Sequence, residues 1–131
     1  MDDDVRYRVL KEIAGAIGYS TADQAKFRIG KSLEHTRFCS QNAAAPSKYK
    51  FNINPNTLSA DYELWICGSS NSYYLIPISI MKQIYSDPEA YVDKHHPEIR
   101  VVSVDIEKHC VAYAKGGKIC DLSSFFQQRI T

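Results

Sequence analysis

The run Asp61–Ile84, DYELWICGSSNSYYLIPISIMKQI, constrains the fold of this chain more than any other stretch. Alternation in YELWIC puts Tyr62, Leu64 and Ile66 on one face of a strand and Glu63, Trp65 and Cys67 on the other. Gly68-Ser69-Ser70-Asn71 supplies turn chemistry, and Tyr73-Tyr74-Leu75-Ile76 is a second β-rich run ended by Pro77. Ile78–Tyr85 then reads as a short helix. A hairpin of this composition belongs in an antiparallel sheet.

With 131 residues the chain is expected to be one domain, 1–131, large enough to bury a core without staples. No apolar run approaches the roughly 20 residues that cross a bilayer, so no membrane partner is expected. The opening MDDDVRYR is acidic where a secretory signal is basic, which makes a cytoplasmic setting the expectation. Cys39, Cys67, Cys110 and Cys120 are widely spaced and form no CxxC pair. In a reducing compartment such residues serve as small buried hydrophobes, and the spacing calls for neither a metal nor another cofactor.

Along the chain, Val5, Val9, Ile13 and Ile17 recur every four residues and predict an amphipathic helix closed near Gly18. Thr21-Ala22-Asp23-Gln24 has capping-box spacing, and Ala22, Ala25, Ile29 and Leu33 then predict a second helix packed on the first. Strands are expected at 36–40 and at 48–54, where Tyr49, Phe51 and Ile53 alternate with Lys48, Lys50 and Asn52. After the hairpin and its helix come strands at Ile99–Ile106 and Cys110–Ala114, a turn at Lys115-Gly116-Gly117-Lys118, and a last helix, Leu122–Gln128, capped by Asp121. The predicted class is α+β: an N-terminal helix pair, a mainly antiparallel sheet of five or six strands, and short C-terminal helices.

A net charge of +1 conceals segregation. Residues 26–50 hold six basic side chains (Lys26, Arg28, Lys31, Arg37, Lys48 and Lys50) against Glu34 alone, a net charge of +5. A basic patch attracts phosphates because each neutralised phosphate releases counterions. Arg28, Lys31, Arg37, Lys48 and Lys50 are therefore candidate phosphate contacts. Trp65, with Tyr73 or Tyr74, is a candidate platform for stacking on a base.

Signals for catalysis are sparse. There is no GxSxG elbow, and Gly116-Gly117 lacks the spacing of a phosphate-binding loop. Adjacent His95 and His96 precede Pro97 in a polar link and are expected at the surface. A metal-dependent nuclease needs convergent carboxylates, for which Asp61, Glu63, Asp105 and Glu107 are the only sensible candidates, and no lysine follows two places after any of them.

Residues 48–85, through the KYKFNIN strand and the pattern D-Y-x–apolar run–turn–Y-Y-L-I-P, resemble a piece of restriction and intron-associated endonucleases of the PD-(D/E)XK type. The resemblance implies a DNA setting. It transfers no catalytic residues, because residues 1–47 lack the acid and (E/Q)-x-K motif of those enzymes. The expected function is thus a DNA-binding module, such as the specificity or modified-base recognition domain of a restriction-type system. The alternatives are a magnesium-dependent endonuclease and a protein-interaction or inhibitor domain whose partner is another protein or further domains.

Overall fold

The computed structural model describes residues 2–88, 90–112 and 120–130. The expected turn at 115–118 and the end of the strand expected at 110–114 lie outside the described residues. Helix α1 (Asp2–Ala14) tightens into a 3₁₀ turn, Gly15–Ile17, and stops at Gly18, whose φ of 72° suits a residue without Cβ. The strands that follow are β1 (Ser20–Thr21), β2 (Lys26–Ile29), β3 (Ser32–Cys39), β4 (Lys48–Ile53), β5 (Tyr62–Cys67) and β6 (Tyr73–Pro77). Helix α2 (Ile78–Ser86) leads to β7 (Tyr91–Val92), β8 (Arg100–Asp105), β9 (Cys110–Ala112) and β10 (Cys120–Asp121).

The strands form two five-stranded sheets, the first ordered β1-β2-β3-β5-β6 and the second β10-β9-β8-β4, with β7 also on β8. All pairings are antiparallel except β3 with β5, which run parallel from Glu34 opposite Tyr62 to Cys39 opposite Cys67. The chain leaves the first sheet after β3, lays down β4 in the second, and returns to form β5. The β5–β6 hairpin appears as the alternation predicts, with Trp65 opposite Tyr74.

Three parts of the expected architecture are corrected, while the α+β class stands. In place of one sheet of five or six strands there are two five-stranded sheets, because β4 pairs with the distant β8 and not with β3 or β5. There is no N-terminal helix pair: residues 20–33 form β1, β2 and the start of β3. Phe27 and Ile29 are buried and Arg28 between them is exposed, a period of two that outweighs the helical spacing of Ala22, Ala25, Ile29 and Leu33. Gly30, at φ 58°, opens a two-residue hairpin loop with Lys31, which a helix cannot contain. Asp23 closes a turn before β2, its carboxylate accepting the Gln24 amide at 2.7 Å.

Nor is there a C-terminal α-helix among the described residues. Asp121 does accept the Ser123 amide at 2.9 Å, but only a 3₁₀ turn, Ser123–Phe125, follows. Beyond it Phe126 bridges to Tyr74, the Gln127 amide donates to the Tyr73 carbonyl at 2.9 Å, and the Ile130 amide donates to the Ile13 carbonyl at 3.0 Å. Pairing with β6 wins over the helix expected at Leu122–Gln128, and it covers an otherwise open sheet edge.

The first sheet separates two cores. On one face α1 lays Val9, Leu10, Ile13 and Ala14 against Phe27, Ile29, Leu64, Ile66, Tyr73 and Leu75. On the other, Trp65, Cys67, Tyr74 and Ile76 meet Tyr49, Phe51, Ile53, Val102, Val104 and Val111 of the second sheet, with Met81, Ile84 and Tyr85 of α2. Trp65 lies at the centre of this layer, stacked on Phe51 with ring centroids 4.3 Å apart and edge-on to Tyr85 at 6.2 Å. The Tyr85 hydroxyl in turn donates to the Phe51 carbonyl at 2.9 Å.

Because Trp65 fills this layer completely, Trp65→Ala is expected to lower unfolding free energy by about 4 kcal/mol. The indole N–H has no hydrogen-bond partner among the described residues, so Trp65→Phe forfeits only volume and costs clearly less. Chemical denaturation followed by circular dichroism checks both. Equal losses would show that the indole's shape or its N–H, and not buried volume, carries the stability.

Candidate functional site

Strand β4 holds the most regular surface feature. Tyr49, Phe51 and Ile53 are fixed in the core, so Lys48, Lys50 and Asn52 project from the opposite face, each exposed and about 6.8 Å from the next along the strand. Across the ladder Lys48 faces Asp105 and Lys50 faces Ser103. Asp105 is occupied in building the next turn, its Oδ1 accepting the amides of Glu107 at 3.0 Å and Lys108 at 3.2 Å. Lys48 and Lys108 both act on Cys110: burial pushes its thiol up, Asp105 adds to the rise, and the two lysines offset part of it.

The other expected phosphate contacts do not join this row. Arg28 is exposed on β2 and Lys31 occupies the β2–β3 turn, both in the first sheet. Arg37 is partly buried and already engaged. Its Nε donates to Glu63 Oε1 at 2.5 Å, and its Nη2 lies 3.1 Å from His35 Nδ1. His35 Nδ1 is also 3.1 Å from Glu63 Oε2. Parallel pairing sets His35 beside Glu63 and Arg37 beside Trp65, so the three polar side chains line the margin of the aromatic core. Glu63 is fully buried, and the guanidinium and imidazole cover it.

Trp65, Tyr73 and Tyr74, expected as stacking residues, are all fully buried, which corrects that assignment. β5 and β6 are covered on both faces, so neither tyrosine of the pair is left outward. Burial raises the Tyr74 hydroxyl well above its ordinary range, and that hydroxyl shares a 2.7 Å hydrogen bond with His109 Nδ1. The carboxylates proposed for a nuclease are likewise dispersed. Asp61 and Glu63 belong to the first sheet, Asp61 accepting the Leu33 amide at 2.7 Å, whereas Asp105 and Glu107 belong to the second. Among the described residues no three His, Cys, Asp or Glu side chains group as metal ligands. His95 and His96 are exposed, as expected.

One ionisable group escapes the sequence reading. Glu34 is fully buried on the α1 side of β3; its Oε2 accepts the Ser32 hydroxyl at 2.6 Å, and its Oε1 has no partner among the described residues. Burial raises its pKa to about 7; the Ser32 hydrogen bond opposes the rise and Asp61 adds to it. The available signal was period two: once 26–29 is a strand, Glu34 falls opposite Phe27 and faces inward.

Comparison with protein-family models, with curated proteins and with solved structures finds no match to this chain. Among the described residues no helix is long and apolar enough to cross a membrane.

Two outcomes are expected from these carboxylates. Glu63→Ala strands Arg37 without its counter-charge and is expected to cost about 3 kcal/mol, with part recovered in the Glu63→Ala/Arg37→Ala double variant; a double-mutant cycle measures the coupling. For Glu34, the folded state keeps a proton that the unfolded chain has lost between pH 4.5 and about 7. Its contribution is therefore complete below pH 4.5 and declines as pH rises through about 7, by at most about 3 kcal/mol. Glu34→Gln should flatten that decline in denaturation midpoints measured at pH 5 and pH 8. An unchanged slope would assign it elsewhere.

Proposed function

We infer that the protein is a DNA-binding module that engages the phosphate backbone through the outward row of β4. The observation that carries this is the row itself: Lys48, Lys50 and Asn52 are held on one solvent-facing side by three buried alternates. Two lysines at a fixed spacing on a rigid strand present charge with less ordering entropy than lysines on a loop. The resemblance of residues 48–85 to endonucleases that act on DNA supplies the nucleic-acid setting.

Burial of Trp65, Tyr73 and Tyr74 shapes the kind of binding. Phosphate contacts position a protein without reading sequence, and an aromatic platform for a base is not offered by these three residues. The mode proposed is therefore sequence-tolerant backbone contact. Modified-base recognition by these aromatics is set aside. A reducing, cytoplasmic setting fits the absence of disulfides among the four cysteines.

The Lys48→Ala/Lys50→Ala variant should weaken binding to unrelated duplexes alike and reduce the slope of log affinity against log salt by about 2. Electrophoretic shifts at several salt concentrations test this. Binding that ignores salt, or that the double variant leaves unchanged, overturns it.

A further inference from the structure

A cleft opens at the end of the α1-side core, between the β2–β3 turn and the C-terminal segment, with a volume of about 690 Å³. Its floor is apolar, made by Ile29, Leu75, Pro77 and the ring of Tyr62. Its rim is polar and cationic: Lys31 and Arg129 line it, and among the described residues no Asp or Glu does. Lys31 forms no ion pair among the described residues, and Arg129 spends one terminal nitrogen on Glu12, 3.0 Å away, in a partly exposed pair. The hydroxyl of Ser124 and the amide of Gln128 add hydrogen-bonding capacity beside these cations.

Ile17 makes the wall. It ends the apolar stripe of the N-terminal helix yet is 56% exposed, more than any other large hydrophobic residue described, and it lines the cleft rather than the core. Behind it a smaller cavity of about 250 Å³ shares Ile17 and Gly30 and is lined by Arg28, a third cation. Asp61 and Glu63 flank the lining residue Tyr62 and Glu34 lies two residues from Ser32, yet none of the three lines the cleft, and Ser32 stands at the lining with its hydroxyl donated to Glu34. An apolar floor of this volume beneath convergent polar groups is the usual form of a small-molecule site.

We propose that this cleft binds a small amphiphilic carboxylic acid, its hydrocarbon body on the Ile17–Ile29–Leu75 floor and its carboxylate between Lys31 and Arg129. The charge of the rim selects the head group: an anion meets Lys31 and the Glu12-paired Arg129 there, and a cation of the same chain length meets the repulsion of Lys31. The site is separate from the β4 lysine row and does not depend on DNA binding.

Isothermal titration calorimetry with decanoate, and with decyltrimethylammonium as the cationic control, tests the proposal. Decanoate should bind saturably with one site per chain, and the ammonium should bind at least tenfold more weakly. Lys31→Ala should weaken decanoate at least threefold, and Ser124→Trp, at an exposed position on the cleft lining, should abolish binding while leaving the circular-dichroism melt unchanged. Lys48→Ala/Lys50→Ala should bind decanoate as the parent does, whatever its effect on DNA. Absence of saturable binding, equal affinity for the two head groups, or indifference to Ser124→Trp would overturn the proposal.

Discussion

The seam between β3 and β5 is the constraint on which the rest of the structure depends. Parallel pairing from Glu34–Tyr62 to Cys39–Cys67 makes β5 an interior strand, flanked by β3 and β6 and covered on both faces. Leu64 and Ile66 serve the core beneath α1, while Trp65 and Cys67 serve the core beneath the second sheet. Both hydrophobic layers therefore draw on the same six-residue strand. The Glu63–Arg37–His35 group sits on that seam as well, so the polar margin of the aromatic core follows from the same register.

What could be read from the sequence was what local pattern decides. The β5–β6 hairpin, the alternation of β4 and the first helix each follow from spacing within one segment. Residues 20–33 mislead because Ala22, Ala25, Ile29 and Leu33 satisfy a helical period, and only Phe27, Arg28 and the Gly30 turn argue for a hairpin. The tail at 122–130 misleads for a different reason: its conformation is set by bonds to Tyr73 and Ile13, which no local pattern encodes. The partition of the strands into two sheets is likewise a matter of distant pairings.

The same division runs through the candidate sites. Lys48, Lys50 and Asn52 were legible as outward residues because the alternation of one strand settles them. Trp65, Tyr73 and Tyr74 were not, since a regular strand pair covered on one face would have left one tyrosine outward, and only a second sheet explains why neither is. The basic segment 26–50 looks like one patch on paper, yet it spans β2, β3 and β4 and is therefore divided between the two sheets. Charge adjacent in sequence becomes three separate environments: the lysine row of β4, a guanidinium on a buried carboxylate, and the rim of a cleft.

The excursion that separates β3 from β5 has a kinetic consequence. A hairpin such as β5–β6 closes over a short loop, but the parallel seam joins residues 28 apart, as in the His35–Glu63 contact, and must close a larger loop before it gains any contact. The segment that closes this loop is the one that carries β4, the strand on which β8 assembles. Closing the parallel seam therefore carries the larger entropic cost, and the loop it closes is the one that carries β4 into the second sheet.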